Sequence, residues 1–267
     1  MVGTFKIITM ATSIEEKIID IENDHFYDSG SVNVDGSVLK CWKAGGHGDQ
    51  TFLQVLQNSC NPGFVKLGQM LGKEKLFSYI EKFGFGNKTG VDLNGEGQGI
   101  IFPLDKVGNV ELSTTAFGQG VSVTPIQQVT AVSAVVNNGY LYKPYIVKSI
   151  AEKETNTIIK ETEKNLVRKV ISNETSAIMR HALESVVAKG GGKAAYIEGY
   201  RVGGKTGTAQ KVQNGRYLVG NYIMSFMAVI PSNDPEAVLY LAIDNPKNTA
   251  LLSSYTTTPI ARRILLD

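Results

Sequence analysis

The chain has 267 residues, 42% apolar and 19% charged, with a formal net charge of +2. That is ordinary globular composition, and without a run of Lys and Arg it carries no nucleic-acid signature. Its apolar stretches are strand-sized, so no membrane span is predicted, no signal peptide precedes the first helical segment, and Cys41 and Cys60 leave the redox compartment open.

In chain order, Thr4 to Glu16 reads as a helix, with Phe5, Ile8 and Ala11 at helical spacing. Residues 20–50 read as loop around Gly30, Gly36 and Gly45-Gly46. Thr51-Phe52-Leu53-Gln54 is a capping box that starts a short helix ending near Asn58. Pro62 opens the next helix, and Asn61 before it is expected to be extended. Ser59-Cys60-Asn61 therefore forms a bend between two helices. Another helix is predicted from Lys73 to Phe83, then a glycine-rich loop from Gly84 to Gly99. Thr124-Pro125-Ile126-Gln127 is a second capping box, and its helix stops at Asn137-Asn138-Gly139. Thr155-Asn156 reads as a hairpin turn, and Ser172 caps a helix stopped by Gly190-Gly191-Gly192. Three strands follow, near 200–211, 221–230 and 237–244, then a last helix through Pro259 to Leu266. Helices first and an antiparallel sheet last indicate an α+β domain.

The segment from Tyr200 to Gln210 carries Gly203-Gly204-Lys205-Thr206-Gly207-Thr208. Small residues let another backbone lie alongside, and one lysine beside two hydroxyls suits a carboxylate. Gly199 through Thr206 also satisfies the phosphate-loop pattern, but the run after Lys205 reads as strand and turn where a phosphate loop opens a helix. Taken singly, Ser59 and Asn61 are helix caps, Lys6 is a solvated helix lysine and Lys205 guards a strand edge. Taken together and in order, they point to one site.

Cys41, His47, Asp49 and Cys60 form a second constellation of zinc-binding residue types, with His25 and Asp28 as substitute ligands. A Cys41–Cys60 disulfide and two buried thiols beside a loop histidine are the alternatives.

Ser59-Cys60-Asn61 at a helix bend, Ala116 to Gly120, and Lys205-Thr206-Gly207 on a strand occur in the order of the penicillin-interacting motifs. On these, and on Leu39 to Gly48, the whole chain resembles the transpeptidase domain of a class B penicillin-binding protein. It is most similar to the stage V sporulation protein D group, with the cell-division transpeptidases next. The resemblance implies the penicillin-binding protein transpeptidase / serine β-lactamase-like fold, an antiparallel sheet flanked by helices. The cleft should lie between the Lys205 strand and the helices carrying Lys6 and Ser59.

The family's third motif is Ser-x-x-Lys, and this chain has Val2-Gly3-Thr4-Phe5-Lys6. Either Gly3 holds the nucleophile position or the serine between Gly3 and Thr4 is missing. Thr4, two residues from Lys6, lies off the helix face that a spacing of three would share. The chain is therefore expected to be acylation-incompetent. The resemblance assigns Lys6 as base for the serine, Ser59 as proton relay to the leaving amine, and Asn61 as holder of the substrate amide and of Lys6. Lys205 adds positive potential, and Thr206 and Thr208 bind the terminal carboxylate. Gly207 leaves room for the substrate backbone, and the Thr208 N–H belongs to the oxyanion hole.

The implied reaction is cross-linking of D-alanyl-D-alanine stem peptides, mimicked by β-lactams, with no cofactor for the chemistry and zinc only as a structural candidate. The missing serine also fits a non-catalytic β-lactam or peptidoglycan sensor, or a structural partner in a sporulation or division complex. By resemblance, residues 1–267 are a transpeptidase domain without its N-terminal part. The parent protein would be membrane-anchored, extracytoplasmic and partnered with a glycosyltransferase of the SEDS type.

Overall fold

From Gly3 to Ile14, helix α1 (Val2–Glu15) has no solvent face. Phe5, Ile7, Ile8, Met10 and Ala11 are fully buried, and so are Thr9, Thr12 and Ser13. A helix enclosed all round belongs in a core, provided its hydroxyls find acceptors. Three of them do: Thr9 donates to the Ala116 carbonyl at 2.7 Å, Thr12 to Ile8 and Ser13 to Thr9. The computed structural model describes residues 2–213, 216–247 and 253–267.

The stretch expected as loop forms four short strands, β1 (His25–Asp28), β2 (Ser31–Val34), β3 (Ser37–Lys40) and β4 (Gly48–Thr51). β1 pairs antiparallel with β4, and β2 with β3. Asp35 (φ 47°) and Gly36 (φ 83°) make the β2–β3 turn, a two-residue hairpin with both φ values positive. α2 (Phe52–Asn58) starts at the Thr51 capping box as predicted. α3 (Asn61–Lys82) is broken at Gly72, where φ is 75°. Its N-cap corrects one expectation: Cys60 is extended, and Asn61 is already the first helical residue. Asn61 is held there by its side chain, tied at one end to Lys6 and at the other to the Lys40 carbonyl.

α4 (Asn109–Ala116) was not predicted. Its sequence is a weak helix former, but Glu111 accepts from the Gly108 N–H at 3.0 Å and stabilises its first turn. α5 (Pro125–Val136) follows its capping box. β5 (Tyr140–Tyr142), β6 (Ser149–Ala151), β7 (Ile158–Glu161) and β8 (Leu166–Lys169) then form one long hairpin, with β5 on β8 and β6 on β7. α6 (Asn173–Lys189) starts at Ser172 and buries Met179, Ala182, Leu183, Val186 and Val187.

The terminal sheet has the order β11-β10-β9, all antiparallel, from β9 (Gly203–Gln213), β10 (Arg216–Ile230) and β11 (Ala237–Asp244). β9 begins three residues later than Tyr200, because pairing starts at Gly203 opposite Val229. Met227 and Val229 of β10 enter the main helical core. Phe226 and Ala228, on the other face, join Val187, Ile197 and Val202 under Ala261 of α7 (Ser253–Leu266). α7 starts six residues before the expected Pro259. The hydroxyls of Thr257 and Thr258 both bond the Ser253 carbonyl at 3.1 Å within its first turns. Helices on both sides of an antiparallel sheet make the predicted α+β architecture.

Candidate active site

Ser59 caps α2 in the left-handed region, with φ 54° and ψ 38°. That conformation ends α2, and the next two residues turn the chain into α3. Cys60 is carried into the core while Ser59 and Asn61 border a cleft. Lys6 reaches this turn from α1. Its Nζ lies 2.8 Å from the Ser59 carbonyl, 3.0 Å from Ser59 Oγ and 2.7 Å from Asn61 Oδ1. Lys205 arrives from β9, with Nζ 2.9 Å from the same Ser59 hydroxyl and 3.1 Å from the Thr206 carbonyl. Both lysines are buried, so neither is the solvated residue its local sequence suggests.

Among the described residues, neither lysine is paired with a carboxylate. Burial brings the Lys6 amine down to about 7, against a smaller upward pull from Cys60 and Cys41. Burial also holds Lys205 well below the usual lysine range, and the neighbouring Lys6 charge adds to that. One hydroxyl thus sits between two amines that burial drives toward neutrality, the environment a general base requires.

Thr206 and Thr208 share a face of β9 by strand alternation. They line the cleft, about 520 Å³ in volume, with Gly3, Asn61, Trp42 and Ser253. Gly3 stands where a helix with Lys6 three residues on presents the same face, and it carries no side chain. A Cβ there would overlap the Thr206 carbonyl oxygen and Gly207 Cα. One at Gly207 would lie 2.7 Å from Ser225 Oγ and 3.2 Å from the Thr4 nitrogen. The start of α1 and β9 therefore meet through two glycines. Thr4 does not replace the absent hydroxyl: its Oγ1 is buried without a hydrogen-bond partner among the described residues.

Three parts of the site had no local sequence signal. Trp42 donates from Nε1 to the Asn58 carbonyl at 2.7 Å and stands at the cleft rim. Gly191 donates to the Gln57 carbonyl at 3.2 Å, bringing the end of α6 to the cleft. Ser253 donates to the Gly207 carbonyl at 2.6 Å and lies 2.7 Å from Thr208 Oγ1. The phosphate-loop pattern ends in β9 rather than in a helix, so it forms no phosphate cradle.

Behind the turn, ligand atoms of Asp28, Cys41, His47 and Cys60 lie within 4.8 Å of one another. His47 Nδ1 is 2.9 Å from Asp28 Oδ2 and 3.3 Å from Cys41 Sγ, and Cys60 Sγ is 3.3 Å from Asp28 Oδ2. Asp49 is not in this group. β1–β4 register sets it opposite Tyr27 on the outer face, where it pairs with His25 Nδ1 at 2.8 Å. Asp28, one residue along, faces inward and takes its place. Both thiols are free, and burial pushes each upward in pKa. Burial also opposes ionisation of Asp28. Hydrogen bonds from Cys41, the Gly30 N–H, His47 and Cys60 outweigh it and hold the carboxyl far below its usual range.

The family described as penicillin binding protein transpeptidase domain matches residues 3–266. The chain belongs to this transpeptidase family. Stage V sporulation protein D of Bacillus subtilis (strain 168) is 59% identical over 99% of this chain and 41% of its own length. Penicillin-binding protein PbpB of Mycolicibacterium smegmatis is 33% identical over 92% of this chain and 39% of its own. The transpeptidase chain thus spans less than half of these relatives. Penicillin binding protein 3 of Mycobacterium tuberculosis, in its apo form, has a TM-score of 0.89 at 27% identity, covering 98% of this chain and 60% of that one. Its aztreonam complex matches with a TM-score of 0.87 at 27% identity over the same shares. Among the described residues, no helix is long and apolar enough to cross a membrane.

Proposed function

We propose that the cleft binds the D-alanyl-D-alanine end of peptidoglycan stem peptides and β-lactams, as a D,D-transpeptidase domain without its acylating serine. The observation that supports this is the convergence of Lys6, Asn61 and Lys205 on the Ser59 turn beside Thr206 and Thr208. With a serine three residues before the lysine, a neutral Lys6 amine accepts its proton as Oγ attacks the peptide carbonyl. Ser59 passes a proton to the departing amine, and Asn61 holds the substrate amide. Lys205 draws in the terminal carboxylate. In this chain Gly3 leaves the binding surface without a nucleophile. The 59% identity to a sporulation protein favours a role in spore cortex or septal wall synthesis. For the longer protein we infer a membrane anchor, an extracytoplasmic position and a SEDS-type glycosyltransferase partner.

Intact mass after incubation with a β-lactam tests this on the chain itself and on a version with serine inserted between Gly3 and Thr4. An adduct on the second alone is expected. Adducts on both would overturn the acylation-incompetent assignment. Adducts on neither would favour a non-catalytic sensor or structural partner.

We also propose that Asp28, Cys41, His47 and Cys60 hold a structural zinc ion. Two sulfurs, an imidazole nitrogen and a carboxylate oxygen make a donor set that suits tetrahedral zinc. Metal analysis of the purified chain is expected to find zinc at about one ion per chain.

A further inference from the structure

The hairpin from β5 to β8 stands away from the body of the molecule. Leu141 and Val170 at its base are buried, but among the described residues β6, β7 and β8 give nothing to either hydrophobic core. All three strands are exposed along their length, with Ile158 at 56% and Ile159 at 69%. A two-stranded ribbon is marginal in water by itself, and branched apolar side chains along it mark a surface that another molecule covers. The arm is nevertheless held in place. Asp92, from the body, accepts from the Ile146 and Val147 N–H groups at 2.7 and 2.9 Å and fixes the bend between β5 and β6. From Lys143 to Lys169 the arm carries seven Lys and Arg against four Glu, a surplus of three positive charges where the whole chain has a surplus of two. Its tip is polar and carries Glu152 and Glu154, so the isoleucines lie along the flanks and not at the end that would enter a membrane.

A surface of matching character lies at the base of this arm. Between the end of α1 and α6 runs an open groove of about 970 Å³, floored by Ile14, Ile19, Ile21 and Ile178. Four carboxylates edge it, those of Glu15, Asp20, Glu22 and Glu174. The cationic side chains there are Lys17 and, when protonated, His181, whose ring lies 3.6 Å from Glu22. The arm ends at Lys169 and the groove wall begins at Ser172, so the two are neighbours. We propose that the chain pairs with a second copy of itself, the isoleucine flank of β7 on one copy seated in the groove of the other. Apolar surface then meets apolar surface, and a surplus of lysine meets a surplus of carboxylate. With arm and groove side by side the exchange is reciprocal, and it closes at two chains. The contact lies outside the cleft and does not depend on what the cleft binds.

Sedimentation velocity over a range of concentrations tests this on the unaltered chain, on Ile159→Asp in the arm and on Glu22→Lys at the groove, both exposed positions. The unaltered chain should pass from one to two chains as concentration rises, and added salt should weaken the pairing. Each variant should raise the dissociation constant about tenfold. An equimolar mixture of the two variants should pair more tightly than either alone, because the intact arm of Glu22→Lys meets the intact groove of Ile159→Asp. A chain that stays monomeric, pairing that both variants leave unchanged, or a mixture no tighter than its components overturns the proposal. Co-sedimentation with phosphatidylglycerol vesicles that Ile159→Asp abolishes would assign the arm to a lipid surface and overturn it as well.

Discussion

On the cleft side of the Ser59 turn, two lysine nitrogens lie 3.0 and 2.9 Å from one hydroxyl, with no carboxylate against either among the described residues. One residue along, on the core side, a single carboxylate, Asp28, accepts from the Gly30 and His47 backbone N–H groups, the His47 ring and the Cys60 thiol. Burial works against charge on both sides. Donors surround the anion and keep it ionised, while the cations have too little around them to resist desolvation. The core side therefore keeps its charge, while the cleft side is driven toward neutrality. Stability should respond to the two sides with opposite sign.

The largest effect is expected at Asp28. Asp28→Ala strands several buried donors at once and should lower stability by about 3–5 kcal/mol in urea unfolding, and it should abolish binding of the proposed zinc ion. A loss below about 1 kcal/mol would erase the distinction between the two sides.

Lys6→Met should act the other way. A buried amine replaced by an apolar group of similar shape is expected to raise stability by about 1–2 kcal/mol near pH 6, while β-lactam affinity falls. The pH dependence follows from Lys6, whose amine burial brings down from its ordinary 10.5 to about 7 in the fold. Below about 7 the amine is protonated in both states, and the folded state carries the whole desolvation penalty. Between about 7 and 10.5 the unfolded chain binds a proton that the folded chain has released, so stability rises with pH. The advantage of Lys6→Met should therefore shrink across that window. Urea midpoints at several pH values check it, and a gap constant with pH would contradict the neutral-amine argument.

The smallest effect belongs to Asp49. Its carboxylate is in the exposed pair with His25, so Asp49→Asn should change stability by no more than about 0.5 kcal/mol and leave zinc content unchanged. Loss of zinc in Asp49→Asn would restore it to the ligand set in place of Asp28.

Features that depend on neighbours in the chain were legible from residue order. The capping boxes at Thr51 and Thr124 and the Ser172 cap form as read, because each is a hydrogen bond across three residues. The bend at Ser59-Cys60-Asn61 followed from Pro62, although the extended residue proved to be Cys60 and the left-handed turn at Ser59 had no local signal. The strands from β1 to β4 were missed because each is four residues long and made by its partner rather than by its own pattern. Residues 248–252, between the last strand and the helix read through Pro259, lie outside the described residues.

The sequence by itself determined which chemical groups are available: a lysine with no serine three residues before it, a Ser-x-Asn turn, a Lys-Thr-Gly strand and four zinc-type side chains. Tertiary structure alone decided which of them meet. Strand register chose Asp28 over Asp49, because neighbouring residues on a strand face opposite ways. Close packing of α1 on β9 brought Gly3 against Gly207 and buried Lys6 and Lys205 around one hydroxyl. Burial, which no local pattern encodes, then decided that these lysines are enclosed amines with lowered pKa rather than surface charges.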